Sequence, residues 1–321
     1  MARYIRHRLL TAIPVFLGIT ILVFCMMNLA PGSIADLGGE NGLTAAEQTA
    51  YRETLGLERP LPLRYAQWVL GLFQGDLGIS YRTGQSVSDT VAQRVLPSLI
   101  LTGTGLLLAV ALAIPLGIAA AGKPKSGWNR AANWLSYLSF GIPGFLLSLL
   151  LIALFGVALS WLPTSGMYQT GMTGTVPDLL RHLILPAFVV CLSNVGGLVK
   201  QTRSACLEVL GEDYVRTARA KGLTEWAVVV RHGFRTALIP VLTAILSHIP
   251  HIIGGSVVVE RIFGWPGMGS LLFSAIGSRD YAVVMGVTVV VALTVLGTNL
   301  LLDLIYGLVD PRITYGGGDF A

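Results

Sequence analysis

Six stretches of at least 18 residues carry no Asp, Glu, Lys or Arg: between Arg8 and Asp36, Arg94 and Lys123, Arg130 and Asp178, Arg181 and Lys200, Arg235 and Glu260, and Asp280 and Asp303. In a bilayer core, about 20 apolar residues in a row close their backbone hydrogen bonds within one helix. Residues 9–29, within the first stretch, form such a segment: 21 residues, about 31 Å long as a helix. Charged residues make up 12% of the chain, where a soluble domain carries about a quarter. That leaves too little charge to cover a water-facing surface and excludes a soluble enzyme. The 38 glycines follow no fixed period and 53% of the residues are hydrophobic, which excludes collagen-like and disordered chains.

The stretch after Arg130 is 47 residues long, but its second half, 161–175, is a polar, glycine-rich loop. One span is therefore predicted there, at about 134–160, and six in total. Placing the N-terminus inside puts 14 basic residues on short inner segments and three (Arg181, Arg261 and Arg279) on short outer loops. This is the positive-inside asymmetry, so the expected topology is N-in, C-in. The net charge of +5 needs no nucleic acid to explain it. The basic start, Arg3, Arg6 and Arg8, precedes an apolar stretch longer than a signal-peptide core, which reads as a retained first helix. Cys25, Cys191 and Cys206 are odd in number and widely spaced, and read as apolar fillers plus one loop thiol rather than a disulfide framework.

Two loops stand out. The outer loop 31–95 is long enough for a small folded cap. It offers a helix over 44–55 with Thr44 as N-cap, and a second helix-like stretch over 65–73 whose Trp68 and Phe73 suit the membrane interface. In the inner loop 200–236, Gly211 is expected to end the fourth helix in a left-handed cap. Asp213 then reads as N-cap of a short helix, 214–221, closed by Gly222, and Thr224 caps a further helix to about Leu238. Tyr214, Ala218 and Lys221 share one side of the short helix, and Arg216 and Arg219 another. Ala218 and Gly222 leave room for another protein to approach the backbone. Eight residues cannot hold a helix alone in water, so this one must pack on something.

The stretch Asp213-Tyr-Val-Arg-Thr-Ala-Arg-Ala-Lys-Gly-Leu223, followed by Arg231-His-Gly-Phe-Arg-Thr-Ala-Leu-Ile-Pro240, resembles the coupling loop of ABC-importer permeases, closest to their dipeptide, oligopeptide and nickel branch. Gly75-Asp-Leu-Gly-Ile-Ser80, Leu162-Pro-Thr-Ser-Gly166, Glu260-Arg-Ile-Phe-Gly-Trp-Pro-Gly-Met-Gly269, Arg279-Asp-Tyr281 and Asp310-Pro-Arg312 agree. The resemblance runs from residue 3 to about 314. It implies an all-α polytopic membrane protein with the type I importer permease fold and an extracytoplasmic loop domain between spans one and two. Residues 1–94 would form the first span plus cap, 95–308 the transmembrane core and 309–321 a cytoplasmic tail.

The resemblance further implies docking of an ATPase subunit on Asp213, Tyr214, Arg216, Thr217, Ala218, Arg219, Ala220, Lys221 and Gly222. Implied partners are a homologous second permease, two ATPase subunits, an extracytoplasmic solute-binding protein and membrane lipid in a bacterial or archaeal cytoplasmic membrane. ATP and Mg would be bound by the ATPases, with no cofactor in this chain. Peptides are the favoured cargo, because 162–168 and the coupling stretch look most like peptide permeases. Nickel or a nickel chelate is the alternative.

No GxxxxGK[ST] motif occurs, since Gly122-Lys123 is followed by Pro124, so this chain does not cradle ATP itself. HExxH is also missing. His248 and His251 lie inside the fifth predicted span, where polar groups are functional candidates; pore lining or helix–helix hydrogen bonding is favoured over metal contact or plain packing. Phe263 and Trp265, in the outer segment 261–270, read as interface anchors at the outer mouth of a pathway. Asp303, at the inner end of the sixth span, would suit a proton path in a secondary transporter, a different class, but reads as structural beside Asp310 and Arg312.

Overall fold

The computed structural model describes residues 2–29, 53, 56, 59–169, 171, 174–254 and 256–309. The apolar runs fold as helices because only an intrahelical ladder satisfies their backbone away from water. In chain order these are α1 (Ala2–Leu29), α2 (Leu61–Phe73), α3 (Val87–Gly122), α4 (Gly127–Gly141), α5 (Gly144–Leu151), α6 (Val176–Leu210), α7 (Asp213–Ala220), α8 (Glu225–Ala227), α9 (Arg235–Leu246), α10 (Ile249–Gly254), α11 (Val257–Ile262), α12 (Met268–Gly277) and α13 (Tyr281–Val309). A π-helical segment, Ile152–Ala158, continues α5, and another, Val228–Phe234, joins α8 to α9. The predicted helix over 44–55 lies outside the described residues, Glu53 apart; the stretch 65–73 belongs to α2, which starts on Leu61-Pro62.

Among the described residues, four helices, in α1, α3, α6 and α13, are each long and apolar enough to cross a membrane. Two bent pairs pass the same test: Gly127–Gly141 with Gly144–Ala158, and Glu225–Arg231 with Arg235–Leu246, the first half of which falls in the predicted inner loop. The straight helix expected over 134–160 is instead α4 and α5, which meet at 96° across Ile142-Pro143. Proline disfavours the α conformation in the residue before it, and Ile142 is accordingly extended at φ −105°, ψ 113°. The fifth run is α9, preceded by its π turn at a 50° bend, then the separate short helices α10 and α11.

The bundle is organised on α3 and α6, its most extensive helix pair. They approach closely because glycines face branched side chains: a Cβ on Gly105 would lie 2.5 Å from Val190, and one on Gly117 2.7 Å from Thr202. Between lipid-embedded helices such packing, rather than hydrophobic burial, supplies the attraction. α4 joins α6 through hydrogen bonds, Ser136 Oγ donating to the Gly196 carbonyl and the Gly196 amide to Ser139 Oγ, each at 3.2 Å. α1 stands at the edge with most of its apolar surface exposed. It is held at one end by the Arg8–Asp303 ion pair at 2.9 Å and further along by Thr20 and Asn28, bonded to Tyr65 and Arg64 of α2.

Candidate pathway and coupling site

Three assemblies of side chains lie along α3 and α6: one at the N-terminal end of α3, one at mid-length and one at their C-terminal ends. At the C-terminal end, α7 folds back on the bundle. Its Val215 and Ala218 are buried in one cluster with Cys206, Leu210, Val228 and Val229, three residues apart and so on one helical face. Asp213, Tyr214, Arg216, Thr217, Arg219, Ala220, Lys221 and Gly222 all face outward. Ala218 therefore seats α7 on its own chain and is no part of an open surface, and its neighbour on the inner face is Val215 rather than Tyr214.

The caps differ from the expectation as well. Glu212 occupies the N-cap position, without a side-chain cap, and Asp213 begins the first turn, where a carboxylate still favours the helix dipole. Gly211 ends α6 in the right-handed region, at φ −81°. Gly222 is the residue at φ +81°, a conformation that costs glycine nothing. Thr224 does cap α8, its hydroxyl accepting the Ala227 amide at 3.4 Å, but the helix runs through the π turn to Leu246, well past Leu238. Arg219 spans the Gly222 turn to Glu225 with Nε–Oε1 at 2.9 Å, which fixes α7 relative to α8. Cys206 is buried in α6 rather than being a loop thiol.

At the opposite end, the glycine-rich segment after α11 is tied down tightly. Ser98 Oγ of α3 donates to Glu260 Oε1 at 2.8 Å, the Ser270 amide donates to Glu260 Oε2 at 2.8 Å, and the Met268 amide donates to Ser98 Oγ at 2.7 Å. Glu260 is fully buried, and burial pushes its carboxyl above the ordinary range against the pull of the Ser270, Ser98 and Gly269 hydrogen bonds and of Arg94. Phe263 and Trp265 are buried too, at 2% and 0% exposure. They are core residues of this knot and not interface anchors. Trp265 Nε1 donates to the Pro97 carbonyl at 2.8 Å, and the Phe263 carbonyl accepts the Gly166 amide at 2.8 Å. Asp280 binds the loop before α3, accepting from Ser80 Oγ at 2.5 Å and the Tyr81 amide at 3.2 Å. Four motifs scattered through the sequence thus meet at one end of the bundle.

Between the two ends, a cavity of about 280 Å³ is lined by Thr102 of α3, Ser193 and Asn194 of α6, His248 and Ser256, with Leu106, Val190 and Ile252 as apolar walls. His248 sits in the break between α9 and α10; the His251 side chain lies outside the described residues. Sequence reasoning missed Ser98, Glu260, Thr102, Ser193 and Asn194. The available signal was polar residues four apart, Ser98 and Thr102, within an otherwise apolar run. No group of three or more His, Cys, Asp or Glu able to hold a metal occurs among the described residues.

Residues 113–315 match the family described as binding-protein-dependent transport system inner membrane component, and residues 1–102 match the N-terminal family of the same transport system membrane components. The chain is 42% identical over 316 residues to the oligopeptide transport system permease protein AppB of Bacillus subtilis, covering 98% of this chain and 100% of the relative. It is 36% identical over 337 residues to the dipeptide transport system permease protein DppB of Escherichia coli K12, covering 98% and 99%. To the glutathione transport system permease protein GsiC of Salmonella choleraesuis it is 37% identical over 315 residues, covering 98% and 100%.

Proposed function

The chain belongs to the inner membrane components of binding-protein-dependent transport systems, and on that premise we propose that it is one permease subunit of an ATP-driven importer of peptides. Relatives at 36–42% identity over nearly the whole chain carry oligopeptides or dipeptides by name, which supports peptide cargo over nickel. In this reading the chain crosses the cytoplasmic membrane six times, N-in and C-in, with each bent pair counted as one span. A homologous second permease completes the pathway, two ATPase subunits bind ATP and Mg, and an extracytoplasmic binding protein delivers the solute. The division into 1–94, 95–308 and 309–321 is part of the same proposal.

The observation that carries the coupling role is α7. It is a two-turn helix whose small apolar face is buried against the π-helical segment Val228–Phe234, in one cluster with Cys206 and Leu210 of α6, while Asp213, Tyr214, Arg216, Thr217, Arg219 and Lys221 project from it. A lever of this kind transmits a push from an ATPase through the π-helical segment Val228–Phe234, which packs on α6 and α3, rather than through flexible loop. Closure of the ATPases would then shift the bundle between two packings and alternate access to the pathway. The knot around Glu260, Phe263 and Trp265 serves as the outer gate frame, and His248 and His251 belong to the pathway. The test is co-purification of the ATPase with the permease. Arg216→Glu combined with Lys221→Glu should lower it strongly while the permease stays in the membrane; undiminished co-purification would contradict docking on α7.

A further inference from the structure

We infer that the cavity lined by Arg94 and Arg261, at the N-terminal end of α3, holds the carboxylate end of a peptide. The inference rests on the peptide-importer reading above.

This cavity, of about 280 Å³, is distinct from the mid-bundle one. Arg94 of α3, Glu260 and Arg261 of α11, and Ser270 and Ser274 of α12 line it. Two guanidinium groups stand against one carboxyl group, so the lining is net positive whichever form Glu260 takes. That carboxyl group is already engaged, with Oε1 taking the Ser98 hydroxyl and Oε2 the Ser270 amide. Among the described residues, neither Arg94 nor Arg261 has an acidic partner at ion-pair distance. The Arg261 guanidinium lies over the Phe273 ring, its carbon 5.0 Å from the ring centre. A guanidinium over a ring keeps N–H groups for a carboxylate, which it can grip with two at once.

The placement joins this cavity to the pathway. On α3, Arg94, Ser98 and Thr102 follow one another at intervals of four residues, on one helical face. Ser256 and Glu260 are likewise four apart. Thr102 and Ser256 line the mid-bundle cavity, whereas Arg94 and Glu260 line this one. Ser98, bonded to Glu260 at 2.8 Å, lies between Arg94 and Thr102 on that face. Along α3 about 12 Å thus separate a cationic cavity from one lined by no Asp, Glu, Lys or Arg. The two arginines repel a peptide ammonium and offer a carboxylate two charge-assisted partners. The space admits one end of a peptide.

The test uses the complete importer, with its partner permease, ATPases and binding protein, in vesicles. It scores uptake of a labelled dipeptide and of its C-terminal amide per ATP hydrolysed, and the binding-protein concentration that half-saturates hydrolysis. Stimulated hydrolysis reports assembly, and the exposed Arg261 carries the test if an Arg94 variant does not assemble. Arg94→Gln and Arg261→Gln should each lower uptake of the free acid about tenfold, the loss expected when a hydrogen bond to a charged group is left unmade. Uptake of the amide and the half-saturating concentration should match the parent, and Arg94→Lys, which keeps the charge, should lose less than Arg94→Gln. Unchanged uptake of the free acid, or equal losses of acid and amide, would overturn the assignment. A raised half-saturating concentration would overturn it too, by giving the arginines to an acidic side chain of the binding protein. If the parent does not carry the amide, that concentration and the Arg94→Lys result decide. Failure of the parent complex to take up any peptide would instead overturn the peptide-importer reading.

Discussion

Ser98 and Glu260 are 162 residues apart in sequence, yet the Ser98 hydroxyl donates to the Glu260 carboxylate and takes the Met268 amide in return. That exchange attaches the glycine-rich segment after α11 to α3. Gly267 lies against the same carboxylate, and any Cβ there would collide with Glu260. Ser98→Ala strips a donor from a buried carboxylate and an acceptor from a buried amide, a loss of about 1–3 kcal/mol. Thermal unfolding in detergent should show a lower midpoint, and Gly267→Ala should lower it at least as much.

Glu260 also sets a pH dependence. Its carboxyl titrates above the ordinary value of 4.5 because burial disfavours the charged form. A raised acid binds its proton more tightly folded than unfolded, so stability is greatest below 4.5 and falls as pH rises through the window up to the raised value. Glu260→Gln should flatten that part of the stability–pH profile. A parent and variant with parallel profiles would remove Glu260 as the cause.

At the C-terminal end of α6, Ala218 seats α7. Ala218→Leu adds three carbons where Ala218 is 6% exposed and packed in the cluster with Val228 and Val229, so α7 must lift away. Overpacking of this kind typically costs about 1–3 kcal/mol. Uptake per ATP hydrolysed should fall several-fold while Arg219→Ala, on the open face with an exposed partner, should change stability by less than about 1 kcal/mol. Gly222→Leu is strained by its φ of +81° but meets no neighbouring atom. It should therefore disturb the turn between α7 and α8 and uncouple transport without unfolding the bundle.

How much of this was legible beforehand follows the physics of each part. The apolar runs named the helices, because a bilayer leaves one solution for a charge-free segment. The 96° corner at Pro143 and the separation of α10 from α11 were not legible, since an apolar run reads the same whether straight or broken. α7 was visible from its spacing and from Gly222, but which face it buries was not. Ala218 could serve a partner or its own core, and the core prevailed because Val215 stands one turn away to complete the face. Phe263 and Trp265 illustrate the same limit. Aromatic residues near a span end suit an interface, but the breakers around them let the chain fold inward, so both became core. Glu260 was hidden because its partner, Ser98, lies in a different helix.

Arg8 and Asp303 tie α1 to the C-terminal part of α13, which gives Asp303 a structural partner in place of a proton path. Asp303→Asn should leave ATP-driven uptake nearly unchanged, and uptake in vesicles should persist when the proton gradient is collapsed. Loss of uptake on collapse of the gradient, with ATP abundant, would return Asp303 to a proton-carrying role.

The most direct test reconstitutes the complete importer in proteoliposomes with ATP inside or outside as orientation requires, and follows a labelled dipeptide and nickel in parallel. The account predicts that the dipeptide accumulates against its gradient only when ATP is hydrolysed, and that nickel does not accumulate. Accumulation of nickel alone, or peptide entry that ignores ATP, would contradict it.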